Sequence, residues 1–254
     1  MAAGRLLEAV MAEFFTTPQG RRIAHHRTPG SGPGVVFLGG FRSDMGGTKA
    51  MFLQDWAERQ GRAFLRFDYS GHGDSSGDFL DGCIGDWAED AFATITALTA
   101  GPQVLVGSSM GGWIALLLAR RVQVAALIGI AAAPDFTESI LTALSDAERQ
   151  DLADRGVVLQ PSGYGDPLPI TRRLIEDGHR HLVLRSPLTL PMPVRLLQGS
   201  ADADVPPAVA LRLFDHAQGP DIRLTLVKGA DHRFSTAECL DVLAATLESL
   251  PPTT

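Results

Sequence analysis

Cysteine is nearly missing from this 254-residue chain: Cys83 and Cys239 are its only two, far apart and in no C-x-x-C pair. Their spacing argues against a disulfide framework or a thiolate zinc site and makes a reducing compartment the default. Clustered positive charge is missing too. No Lys/Arg run exceeds two residues, and 29 Asp and Glu outnumber 22 Lys and Arg for a net charge of −7. Phosphate binding needs a clustered basic face, so no nucleic-acid partner is expected. No stretch reaches the roughly 18 uninterrupted apolar residues of a membrane span. Residues 1–10 lack the apolar core of a secretory leader, and they read as an extension with little structural role. The expectation is a soluble, cytoplasmic protein with no membrane span; the oligomeric state stays open.

What the chain does have is core-forming material, being 45% hydrophobic and 20% charged. At about 150 residues per domain the length allows one large domain or two small ones, and one domain with an insertion fits the pattern best. Residues 14–17 and 21–26 flank the turn Pro18-Gln19-Gly20 and predict an antiparallel hairpin at a sheet edge. After a Pro/Gly loop over 29–34, the apolar run 35–38 predicts a buried parallel strand. Helices over 48–60, 84–100 and 111–121 then alternate with strands over 63–67, 104–106 and 125–130. This rhythm resumes with strands at 194–198 and 222–227 and helices at 206–216 and 236–250. Such alternation predicts an α/β fold, a mostly parallel sheet with helices on both faces. Between them, residues 134–193 carry charged helical pieces (135–144, 146–155, 168–176) and predict an inserted helical lid. The core is then residues 1–133 and 194–254.

The sharpest chemical signal is Gly107-Ser108-Ser109-Met110-Gly111, which fits G-x-S-x-G only when centred on Ser109. It lies between a strand and a helix, where a sharp turn leaves no room for a Cβ beside the nucleophile. The plain alternative is a tight connection with a phosphate at the helix N-terminus. A serine hydroxyl needs a base, and the base needs an orienting acid. Gly199-Ser200-Ala201-Asp202-Ala203-Asp204 follows a strand, and Gly229-Ala230-Asp231-His232 follows the last one. His232 is therefore the candidate base, with His72 a second candidate that precedes the serine. Asp202 is favoured as the acid, with Asp204 open as an alternative; Asp231 reads as a turn residue. Met110 N–H at the helix start and Phe41 N–H, with Gly40 in reserve, are the candidate oxyanion donors. His25-His26 and His179-x-His181 have metal-like spacing without a carboxylate or cysteine cluster, so they read as loop residues. Gly47-Thr48-Lys49 reverses the order a P-loop requires, and no G-x-G-x-x-G opens a helix. No cofactor or metal is expected.

Several stretches together resemble the acyl-protein thioesterase and acyl-glucuronide esterase branch of the α/β-hydrolase family, with its bacterial relatives. They are Ser43-Asp44-Met45-Gly46-Gly47-Thr48-Lys49-Ala50, Arg66-Phe67-Asp68-Tyr69-Ser70-Gly71, the run from Gly101-Pro102-Gln103 to Trp113, and Asp231-His232-Arg233. The resemblance implies an α/β-hydrolase fold, the triad Ser109, Asp202 and His232, and hydrolysis of acyl esters or thioesters, S-acylated proteins or acyl sugars included. Over the lid the resemblance is loose. Leu182, Val183, Leu184, Leu188 and Met192 could line an acyl pocket or simply pack on the sheet. Competing readings are C–C bond hydrolysis or perhydrolysis on the same fold, and a non-catalytic ligand receptor.

Overall fold

A computed structural model of the protein describes residues 12–161 and 166–251. The extension expected over residues 1–10 lies outside them. The hairpin is present: β1 (Glu13–Thr16) pairs antiparallel with β2 (Arg22–Thr28). There follow β3 (Ser31–Leu38), α1 (Thr48–Gln60), β4 (Arg62–Phe67), α2 (Ile84–Leu98), β5 (Gln103–Ser108), α3 (Met110–Leu118) and β6 (Val124–Ile130). The expected insertion holds α4 (Phe136–Ala143), α5 (Asp146–Arg155), β7 (Val157–Gln160), β8 (Leu168–Thr171), α6 (Arg172–Arg180) and β9 (Leu188–Thr189). The chain closes with β10 (Val194–Gly199), α7 (Pro207–His216), β11 (Ala217–Gln218), β12 (Ile222–Val227) and α8 (Ala237–Glu248).

Among the described residues, eight strands form one sheet in the order β1-β2-β4-β3-β5-β6-β10-β12. From β4 to β12 every neighbouring pair is parallel. Side chains alternate across a strand, so the continuous apolar runs in the middle of the sheet must feed two cores. Val36, Leu38, Leu105 and Leu127 pack with Trp87 of α2 and Trp113 of α3. Their neighbours Val35, Phe37, Val104 and Ile128 pack with Leu53 and Trp56 of α1 and Leu243 of α8. All six β5 residues are buried between these layers.

Two boundaries differ from expectation. β3 begins at Ser31, inside the Pro/Gly stretch read as a loop, and meets β4 through an irregularity between Ser31 and Val35. The helix expected over 168–176 starts only at Arg172, because Leu168–Thr171 pairs antiparallel with β7. Pro169 and β-branched Ile170 suit an extended edge, and the Thr171 hydroxyl accepts the Leu174 N–H at 3.0 Å, capping the helix where it begins. Val183, Leu184, Leu188 and Met192 are buried within the first core, so their apolar character serves packing.

Candidate active site

The elbow after β5 is built by close approach. A Cβ on Gly107 would stand 2.3 Å from the Gly111 carbonyl oxygen, and one on Gly111 would stand 2.0 Å from that of Leu38. Only glycine lets strand, turn and helix cross here. Between them Ser109 adopts φ 53°, ψ −117°, a conformation that costs an L-residue roughly 1–3 kcal/mol. The surroundings hold it there: Ser109 N–H donates to Ile130 O at 2.9 Å, and Ser109 O accepts from Gly112 N–H at 2.9 Å and Ala133 N–H at 3.1 Å. Met110 opens α3, so its N–H is one of those a helix leaves without an internal acceptor.

The structure brings Ser109, His232 and Asp202 together. His232 Nε2 is 3.1 Å from Ser109 Oγ, and His232 Nδ1 is 2.9 Å from Asp202 Oδ2. Asp202, 5% exposed, lies just past β10. Its Oδ1 accepts the N–H groups of Asp204 at 3.0 Å and Val205 at 2.8 Å, and its Oδ2 also accepts the Gln198 amide at 2.9 Å. Burial pushes the Asp202 carboxyl up, but His232, the Val205 N–H and Gln198 outweigh it and hold the group below the usual carboxylate range. Asp204 supplies a backbone N–H to Asp202 while its own side chain is exposed. Asp231 accepts Phe234 N–H at 3.1 Å and closes a turn. Among the described residues, Asp202, Asp204 and His232 are the one group close enough to share a metal ion, and both His232 ring nitrogens are already engaged.

The loop after β3 runs against the nucleophile, since a Cβ on Gly40 would lie 3.5 Å from Ser109 Cβ. Phe41 anchors it, its ring edge-on to Phe79 at 4.9 Å and to Phe136 of α4 at 5.8 Å. His72 spends both ring nitrogens on backbone partners, leaving neither for Ser109. It is 4% exposed, its Nδ1–H donates to Ser70 O at 3.2 Å, and its Nε2 accepts the Arg42 N–H at 3.2 Å. Burial lowers its pKa, consistent with a neutral ring bracing this loop. Lys49, near the start of α1, donates to the Arg233 carbonyl beside His232, and desolvation brings its ammonium pKa down to about 8.

In the sequence Gln198 reads only as part of the strand over 194–198, with no local signal of a role at the site. Its amide could be found only once β10 and the loop behind it were folded together.

The chain belongs to the α/β-hydrolase family, whose profile, described as Alpha/beta hydrolase family, matches residues 35–246. Mouse "Palmitoyl-protein thioesterase ABHD10, mitochondrial" is 36% identical over 232 residues, 90% of this chain and 78% of that protein. Among solved structures, a protein from Agrobacterium vitis S4 is 40% identical with a TM-score of 0.91, covering 94% of this chain and 97% of the other. "Alpha/beta hydrolase domain-containing protein 10 from mouse" is 34% identical with a TM-score of 0.86, covering 93% and 96%. The fold and the expected class, a hydrolase of acyl esters or thioesters, stand with these relatives.

One expectation is corrected. The curated relatives are named as mitochondrial, which overturns the cytoplasmic reading. Sparse cysteine and the lack of an apolar span fit any reducing compartment, so composition could not choose between them.

Proposed function

We propose that the protein cleaves acyl thioesters and esters through Ser109 as nucleophile, His232 as general base and acid, and Asp202 as the carboxylate that orients the imidazole. The observation that carries this reading is the unbroken relay from Ser109 Oγ through His232 to Asp202, at 3.1 and 2.9 Å. Asp202 holds the proton on Nδ1, leaving the Nε2 lone pair aimed at the hydroxyl. As Ser109 Oγ attacks the acyl carbon, its proton passes to Nε2 and charge collects on the carbonyl oxygen. The Met110 and Phe41 N–H groups receive that charge, each donor supplying about 10²- to 10³-fold in rate. Collapse expels the thiol or alcohol, protonated by His232. Water activated by His232 then releases the acid and restores Ser109. The triad supplies nucleophile and proton transfer, so the cycle runs without a cofactor.

Residues 134–193 serve as the lid over the acyl group, on the core of residues 1–133 and 194–254. Supporting this, Phe136 at the start of α4 touches both Phe41 and Trp113, at 5.8 and 5.5 Å, and the Arg42 guanidinium donates to Pro167 O at 3.2 Å. Long-chain acyl thioesters on protein cysteines are the favoured substrates, from the palmitoyl-protein name of the relatives.

A fluorophosphonate probe and a series of acyl thioesters and esters of rising chain length test the proposal together. The expected result is labelling at Ser109 and turnover that Ser109→Ala abolishes. An unlabelled wild-type protein, or wild-type rates in Ser109→Ala, overturns it; best turnover on acetyl substrates overturns the long-chain preference.

A further inference from the structure

Gln198, the next-to-last residue of β10, is fully buried, at 0% exposure, with an amide whose two N–H bonds both point to acceptors. One goes to Asp202 Oδ2 at 2.9 Å and the other to Val205 O at 2.9 Å. Its carbonyl oxygen Oε1 has no hydrogen-bond partner among the described residues. A stranded buried acceptor costs free energy and asks for a reason. Turning the amide over would not relieve it, because Oε1 would then face a carboxylate and a carbonyl oxygen. The orientation is therefore dictated by the acceptors, and Oε1 is left stranded as the consequence.

We propose that Gln198 is a positioning residue of the reaction, fixing the Asp202 carboxylate so that Oδ2 meets His232 Nδ1–H in line. The inference rests on the proposed role of Ser109, His232 and Asp202. Asp202 carries four incoming hydrogen bonds. Asp204 N–H and Val205 N–H hold Oδ1. Gln198 shares Oδ2 with the histidine. Its contribution is specific to that oxygen: the two N–H groups on Oδ1 fix one end of the carboxylate, and the Gln198 amide braces the other end, Oδ2, against small tilts about Oδ1 that would bend its bond to the imidazole. The second Gln198 bond, to Val205 O, ties the amide to the turn that holds Oδ1, so both carboxylate oxygens are referenced to one rigid loop. A partly satisfied buried network of this kind persists where orientation matters more than local stability.

The test uses Gln198→Met, which keeps length and apolar bulk while removing the donor and the stranded carbonyl together, with Gln198→Asn as a second variant that withdraws the amide by one methylene. The expected result is a kcat lowered about tenfold or more with KM within about twofold. The low-field proton resonance of His232 Nδ1–H shifts or broadens in both variants, while Tm stays near the wild-type value. Unchanged kcat with an unchanged resonance overturns the role. So does a Tm loss with kcat and KM moving together and the resonance intact, since that marks a packing residue only. Fluorophosphonate labelling of the wild-type protein at Ser109 is read in the same experiment. If it fails, the proposed triad fails; if it succeeds while the Gln198 variants behave as wild type, only the positioning role falls.

Discussion

His232 Nε2 stands 3.1 Å from Ser109 Oγ across 123 residues of chain. Two strand ends make the meeting possible, because parallel strands deliver their C-terminal loops to one edge of the sheet. Ser109 leaves β5, His232 follows β12, and Asp202 arrives from β10 lying between β6 and β12.

Asp202 and Asp204 are two residues apart and can be separated by experiment. Asp202→Asn removes the carboxylate that fixes the imidazole tautomer and should lower kcat about 10⁴-fold. Asp204→Asn keeps the backbone N–H that serves Asp202 and should change kcat by less than about tenfold. Ester kinetics on the two variants decide it, and a larger loss in Asp204→Asn than in Asp202→Asn would reverse the assignment of the acid.

Acidification should destabilise the fold through its histidines. Buried His72 and His25, and half-buried His26, each have a pKa lowered chiefly by desolvation. A histidine with a folded pKa below its unfolded value of about 6.5 binds more protons when unfolded, so its stabilisation is complete above pH 6.5 and is lost as pH falls toward the folded pKa. Asp68 and Asp135, raised by burial, act with the opposite sign upward from about pH 3.9. The difference between wild type and His72→Gln isolates the histidine. Tm measured from pH 7.5 to 5 should fall less steeply in the variant, and parallel curves would count against the buried neutral ring.

Asp90 is the electrostatic hub joining α2 to the first hairpin. At 0% exposure it accepts from Arg21 Nε at 2.5 Å, Ser70 N–H at 2.9 Å and Ser70 Oγ at 2.6 Å. Asp90→Ala strands the two buried Ser70 donors, while Arg21 keeps Asp86 as a partner, and should cost about 1–3 kcal/mol in urea unfolding. Asp90→Asn, which keeps an acceptor, should cost less. A loss below about 1 kcal/mol for the alanine variant would show that the hub is dispensable.

Gly111→Ala should be far more damaging than an ordinary helix substitution. Its Cβ would sit 2.0 Å from the Leu38 carbonyl oxygen, and backbone on both sides leaves no rotamer to relieve the overlap. Destabilisation of about 3 kcal/mol or more is expected, with loss of Ser109 labelling. Near-normal Tm and labelling would mean the elbow can open.

The alternation of strands and helices was legible in the chain because apolar runs of strand length, bounded by Gly and Pro, are local signals. The elbow at Gly107 to Gly111 was legible for the same reason. Reading failed where a local pattern had two tertiary uses. Leu188 and Met192 looked equally suited to a pocket or a core, and their burial puts them in the core. Leu168–Thr171 continued a helical pattern, yet pairing with β7 made it a strand.

Composition and periodicity alone determined an α/β sheet with a serine at a strand-to-helix elbow, since those features depend on neighbours within a few residues. Only the tertiary structure decided that Asp202, and not Asp204, bonds His232, that His72 braces the loop after β3, and that Gln198 reaches Asp202. Those choices turn on where side chains from different strands converge and which buried hydrogen-bonding groups remain to be paired, and neither is encoded in the spacing of residues along the chain.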